Sequence, residues 1–173
     1  MKNTPTLMIY AGQETDMRII GIDPGLVNTG WAVIDSVGNE RRYVASGVIK
    51  PPVKESLPER LSFIFKELGD LVDLWKPCEC GIEITFVNKN PTTTLILGHA
   101  RAASMLAVST RGIPVHEYEP NKIKKAITSA GHADKAQVER MVAILLPAAK
   151  PKSPDESDAL AVALTHANYS RFQ

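Results

Sequence analysis

The sequence predicts an α/β fold: a mixed five-stranded sheet with helices on both faces. Three observations carry this. Three short apolar runs follow one another near the start with no helical period between them, which reads as an antiparallel meander. Two further strand-like runs then alternate with long segments of helical period, which implies parallel pairing and helices covering the sheet. A chain of 173 residues, 44% hydrophobic and 23% charged, suits one domain with a sizeable core.

The first strand is "MRIIGI", from Met17, closed by the turn signal Asp23-Pro24-Gly25. Trp31 to Ile34 and Tyr43 to Ile49 are the second and third, with Gly38-Asn39 between them as hairpin chemistry. "KPPVKESLPER" is a loop. Leu57, Leu61, Ile64, Leu68, Leu71 and Trp75 recur at alternating four- and three-residue steps, which gives a long helix over about 58–75. "CGIEITFV" is the fourth strand. A helix over 91–110 follows, rich in small residues (Gly98, Ala100, Ala102, Ala103, Ser104) that permit close helix packing. "GIPVHEY" is the fifth strand, "NKIKKAIT" a short basic helix, and 136–146 another helix. The last helix, over 154–170, starts with Ser153 as N-cap, Pro154 in the first helical position and Glu156 completing a capping box. Residues 1–16 read as a polar extension, open to disorder, ahead of a single domain over 17–173.

Several function classes fall away at once. No apolar stretch approaches the roughly 20 residues that span a bilayer, so no membrane role is expected. Cys78 and Cys80 form a lone C-x-C, a poor disulfide and half a metal site; free thiols in a reducing cytoplasm are expected. Four histidines lack ligand-like spacing, which argues against a structural zinc. Net charge is only +1, but 85–140 holds eight Lys/Arg (Lys89, Arg101, Arg111, Lys122, Lys124, Lys125, Lys135, Arg140) against four acids, so +4, and the remainder is −3. A basic central region in a nearly neutral chain fits contact with a polyanion as well as an ordinary solvated helical surface.

The acids carry the chemistry. Asp23 alone reads most simply as a turn residue bonding local amides. Glu83, inside an apolar strand, either faces water or is a buried group in need of a partner. Asp155 and Glu156 suit the first turn of a helix, where the dipole favours negative charge. Asp158 lies one turn in, three residues from Asp155, so the two carboxylates share a face at the mouth of a well-buried helix. If the first strand is central and the last helix crosses its end, Asp23, Glu83, Asp155 and Asp158 converge. Four such carboxylates repel unless a divalent cation neutralises them, and an all-oxygen set favours Mg²⁺ or Mn²⁺. Two such ions can activate water and stabilise the leaving oxygen of a phosphodiester, with the basic region on the nucleic-acid backbone.

From Met17 to about Ala167 the sequence resembles the RuvC family of Holliday junction resolvases, the crossover junction endodeoxyribonucleases. Four blocks carry the resemblance in the family's order and spacing: "GIDPGLVNTGWAVID", "GIEITFVNKNPTTTLILGHARAA", "YEPNKIKKAITSAGHADKAQVERMV" and "DESDALAVALTHA". "PTTTLILGHA" is the looser match, and "DESDALA" varies between its two acids while keeping both. The resemblance implies an RNase H-like fold, a homodimer, and two Mg²⁺ per active site with Mn²⁺ able to substitute. Carried over by position, the catalytic acids and metal ligands are Asp23, Glu83, Asp155 and Asp158, the four that the residues themselves select. Lys135 matches a lysine near the scissile phosphate, Lys124 a second basic residue in the DNA path, and Phe86 an aromatic that meets a base at the junction point. Arg101 falls in the "GHAR" segment of the helix that the family uses for its dimer contact. Lys89, Lys122 and Lys125 complete the expected DNA-binding set.

The function implied is resolution of a four-way DNA junction by symmetric nicking of two strands of like polarity. The expected ends are 5′-phosphate and 3′-hydroxyl, and a branch-migration motor is a further candidate partner. Three rivals remain: another RNase H-like nuclease acting on structured RNA, a non-catalytic junction-binding module, and a phosphate-binding domain of the actin and sugar-kinase type. The last needs two domains, and this chain has length for one.

Overall fold

The computed structural model describes residues 17–84 and 91–170. The strands are β1 (Met17–Asp23), β2 (Thr29–Val37), β3 (Glu40–Ile49), β4 (Glu79–Glu83) and β5 (Val115–Tyr118). The helices are α1 (Leu57–Trp75), α2 (Pro91–Ser109), α3 (Pro120–Thr128), α4 (Lys135–Leu145) and α5 (Pro154–Tyr169). The strand order is β3-β2-β1-β4-β5. β1, β2 and β3 pair antiparallel, and β4 and β5 join in parallel. This is the predicted mixed sheet, with β1 at its centre. The expected N-terminal extension, Phe86 and Lys89 lie outside the described residues.

Alternation along the central strand divides the core. Ile20 and Ile22 point to one face and pack with Ile64, Leu68, Val72, Ile82, Ala107 and Val108 beneath α1 and α2. Ile19 points to the other face, toward α3, α4 and α5, with Ile34, Ile123, Val142, Leu160 and Leu164. Most of α5 is buried, so its first turn is held over the sheet as firmly as a core element.

Bare backbone sets how close α5 comes. A Cβ at Gly21 would stand 2.3 Å from the carbonyl oxygen of Ala159, and one at Gly30 would stand 2.1 Å from that of Asp155. Only glycine lets the helix rest on β1 and β2 at this height. The meander closes as expected, with Val37 paired to Glu40 across Gly38-Asn39 and Gly38 at φ 50°.

Two local details differ from expectation. The fourth strand ends at Glu83, just before Ile84, whose N–H donates to the Tyr118 carbonyl at 2.9 Å, and residues 85–87 of the expected strand lie outside the described residues. The Ser153 hydroxyl does cap α5, accepting from the Glu156 N–H at 3.3 Å. The Glu156 carboxylate does not return to the cap, however. It accepts from Ser46 on β3 at 2.9 Å, because burial over the sheet brings that hydroxyl within reach. Cys78 is exposed and Cys80 buried, both as free thiols. No described helix is long and apolar enough to cross a membrane.

Candidate active site

The loop from β1 to β2 is held without help from the Asp23 side chain. The loop is closed by Thr29: its hydroxyl donates to the Gly25 carbonyl at 2.7 Å and accepts from the Gly25 N–H at 3.3 Å. Asp23, at the end of β1, instead faces a cleft of about 270 Å³. The cleft is shared with Glu83 at the end of β4, Asp158 in α5, Lys124 in α3 and Lys135 at the start of α4. Parallel pairing of β1 with β4, Ile22 opposite Ile82, is what brings the two strand-end acids side by side. Asp155 sits one helical turn before Asp158, and its Oδ2 accepts from the Asn28 side-chain amide at 3.2 Å.

The electrostatics show how tightly the acids converge. Burial, then the charges of Glu83, Asp158 and Asp155, push the Asp23 carboxyl up to about 8, with Lys135 opposing. Burial and the Asp158 charge raise Glu83 to about 7, against Lys135 and Lys124. At neutral pH Asp23 is therefore mostly protonated and Glu83 about half so, and a nearby cation would displace those protons. Lys135 provides part of the compensation. Its ammonium donates to Asp158 Oδ2 at 2.8 Å. Burial works against that ammonium, but the bond to Asp158 and the charges of Asp158, Glu139 and Asp23 outweigh it and hold its pKa above the ordinary value. The Asp134 N-cap of α4, which accepts from the Gln137 N–H at 2.8 Å, fixes the turn from which Lys135 reaches.

The structure thus brings together Asp23, Glu83, Asp158, Lys124 and Lys135, with Asp155 near enough for its charge to act on Asp23. Three other expected DNA contacts, Arg101, Lys122 and Lys125, are placed differently. Lys122 extends over the rings of Tyr118 and Tyr169, 5.2 and 4.3 Å from their centroids, so its charge meets aromatic faces rather than the cleft. Arg101 is ion-paired with Glu117 of β5. Lys125 is exposed on α3 and does not line the cleft.

Two features were missed in the sequence. Asn28 has no assigned role in the sequence, since nothing local links it to a residue 127 positions away. A second cluster, Glu79, His116 and His166, brings donor atoms within 4.8 Å of one another on three different elements. Among the described residues this group is also able to hold a metal ion.

All-oxygen donors, with two carboxyls raised by burial and by their neighbours' charges, fit a hard divalent cation in the cleft. The comparisons agree with this geometry. The family described as "Crossover junction endodeoxyribonuclease RuvC" matches residues 19–166. The protein of that name from Nitrobacter hamburgensis is 50% identical over 156 residues, which cover 90% of this chain and 92% of that one. Its counterpart from Bradyrhizobium diazoefficiens is 51% identical over 153 residues, covering 88% and 87%. Among solved structures, T. thermophilus RuvC in complex with Holliday junction substrate superposes with a TM-score of 0.85 at 32% identity, covering 90% of this chain and 96% of that one. The yeast mitochondrial Holliday junction resolvase Ydc2, at 13% identity and a TM-score of 0.66, shares the fold. That fold is the RNase H-like one expected from the sequence. The chain therefore belongs to the RuvC family of crossover junction endodeoxyribonucleases.

Proposed function

We propose that this protein resolves four-way DNA junctions by metal-dependent hydrolysis, nicking two strands of like polarity. The observation that carries the reading is the convergence of acids from β1, β4 and α5 in one cleft beside Lys135 and Lys124. Asp23, Glu83, Asp155 and Asp158 would hold two Mg²⁺ ions, or Mn²⁺ in their place. When bound, the ions supply the positive charge that activates a water and stabilises the departing 3′ oxygen. The residues supply the rest. The strand-end acids give up their protons to the incoming charge, so binding weakens as pH falls below about 7–8. Asn28 orients Asp155 through its amide. Lys135, released from Asp158, offsets charge on the scissile phosphate, and Lys124 extends the positive wall of the cleft along the backbone. The ends left are 5′-phosphate and 3′-hydroxyl.

Two like nicks require two sites, so the acting unit is a homodimer. Leu95 and Leu106 are 66% and 54% exposed on α2, which suits that helix as the contact between copies. A branch-migration motor would be a further partner at the junction. Phe86 and Lys89 are proposed DNA contacts on the strength of the family resemblance alone.

Strand-resolved cleavage of a mobile four-way junction with Mg²⁺, beside matched duplex DNA and structured RNA, tests the reading. Paired symmetric nicks in the junction alone support it. Cleavage of RNA, or no preference for the junction, would assign the same cleft to another substrate.

A further inference from the structure

The cluster at the other end of β4 and α5 is built from different donors. His166 is 1% exposed, yet both ring nitrogens are engaged. Nδ1 lies 2.8 Å from the Tyr118 hydroxyl, and Nε2 lies 2.5 Å from Glu79 Oε2. The His116 ring lies against it, centroids 4.7 Å apart. Register explains the meeting. Glu79, Gly81 and Glu83 alternate onto the α5 face of β4, and His116 pairs with Gly81 in β5. A Cβ at Gly81 would already stand 3.0 Å from that of His166. Glu79 is four strand residues from Glu83, and His166 eight helical residues from Asp158. The cluster is therefore roughly 12 Å from the acidic cleft.

We propose that Glu79, His116 and His166 form a second cation site, a two-histidine, one-carboxylate centre for a Zn²⁺-class ion that clamps β4, β5 and α5 together. Two imidazoles and a carboxylate suit zinc, whereas the all-oxygen cleft suits magnesium. The second nitrogen of His166 already meets the Tyr118 hydroxyl, the outer partner that fixes a ligating imidazole. Donors around an ion at about 2.0–2.1 Å stand roughly 3.3 Å apart. Seating an ion requires Glu79 to draw back from its 2.5 Å contact with His166 and His116 to move in, shifts of about 1–1.5 Å by two side chains that are only half-buried. The scattered spacing of the histidines in the sequence argued against such a site because it tests neighbours along the chain, not across strands.

The test is Zn²⁺ and Co²⁺ titration of the full chain, stripped of metal and held in excess Mg²⁺ so that the carboxylate cleft is occupied. The expected result is one equivalent per chain, a visible Co²⁺ band, and shifted ring signals for His116 and His166 in NMR spectra. His116→Gln and Glu79→Gln should each weaken binding by about 10-fold or more, and Tyr118→Phe by about 10–100-fold, while Asp23→Asn leaves it unchanged. The two half-buried positions are chosen because both variants keep a hydrogen-bonding group and should fold, with circular dichroism as the check. Equal binding by wild type and His116→Gln, or unmoved histidine signals in the wild type, would overturn the proposal. So would loss of the ion in Asp23→Asn alone, which would assign it to the cleft.

Discussion

β4 starts with one glutamate and ends with another, both turned toward α5, and the two have opposite fates. Glu79 bonds His166, whose ring continues to Tyr118, so that end forms a chain of hydrogen bonds. Glu83 faces Asp23 and Asp158 across a cleft with too little positive charge, and burial with Asp158 raises it to about 7. Burial is comparable at the two ends; what differs is whether each polar group meets a complementary one. Carboxylates in excess over their partners, at a cleft rather than in a packed core, mark the end built to receive something from outside.

The contrast breaks most visibly at Asp23. Asp23→Asn should reduce junction cleavage by about 10³-fold or more, the scale for losing a group at the reacting centre, while junction binding stays within a few-fold. Substantial nicking by this variant would remove Asp23 from the machinery. Lys135→Ala should cost about 10²-fold in cleavage rate with a smaller loss of binding, measured by single-turnover kinetics.

The pH dependence sharpens the comparison without substrate. The folded-state values of Asp23 and Glu83 lie above their unfolded values, so the folded protein binds the extra protons. Stability of the metal-free protein is then greatest near pH 5 and declines as pH rises through about 7–8. Denaturant melts across that range should show the decline, flattened by Mg²⁺ and by Asp23→Asn. A metal-free protein equally stable at pH 5 and pH 8 would mean the acids are farther apart than described. At the other end, Tyr118→Phe leaves a buried imidazole nitrogen without its hydroxyl. It should cost about 1–2 kcal/mol of stability at any pH in that range.

Much of this was legible in the residues. An aspartate after "RIIGI" and a glutamate inside "CGIEI" are conspicuous because apolar runs make charge costly. Asp155 and Asp158 gave themselves away by sharing a helical face. The periods of two and 3.6 placed the elements, with helix ends shifted by a single residue and strand ends by as much as three, since β2 runs over Thr29–Val37 and β5 begins only at Val115. What stayed hidden depended on pairing across elements. Glu156 looked like half of a capping box because Ser46, 110 positions away, is not a neighbour in the sequence. Lys122 looked like any basic helix residue until Tyr169 came beneath it. Glu79, His116 and His166 share no spacing at all, and only strand register unites them.

The glycines under α5 have a consequence for how the protein can change over time. A side chain between helix and sheet can be exchanged for another, and the gap adjusts with it. Where backbone rests on backbone, at Gly21 and Gly30, there is nothing to exchange. The height of the helix is fixed as if by a machined seat, and with it the separation of Asp155 and Asp158 from Asp23. Drift elsewhere in the core can proceed without altering the distances on which hydrolysis depends, since groups at a reacting centre tolerate only about 0.5 Å of misplacement. The seat insulates the chemistry from the sequence around it.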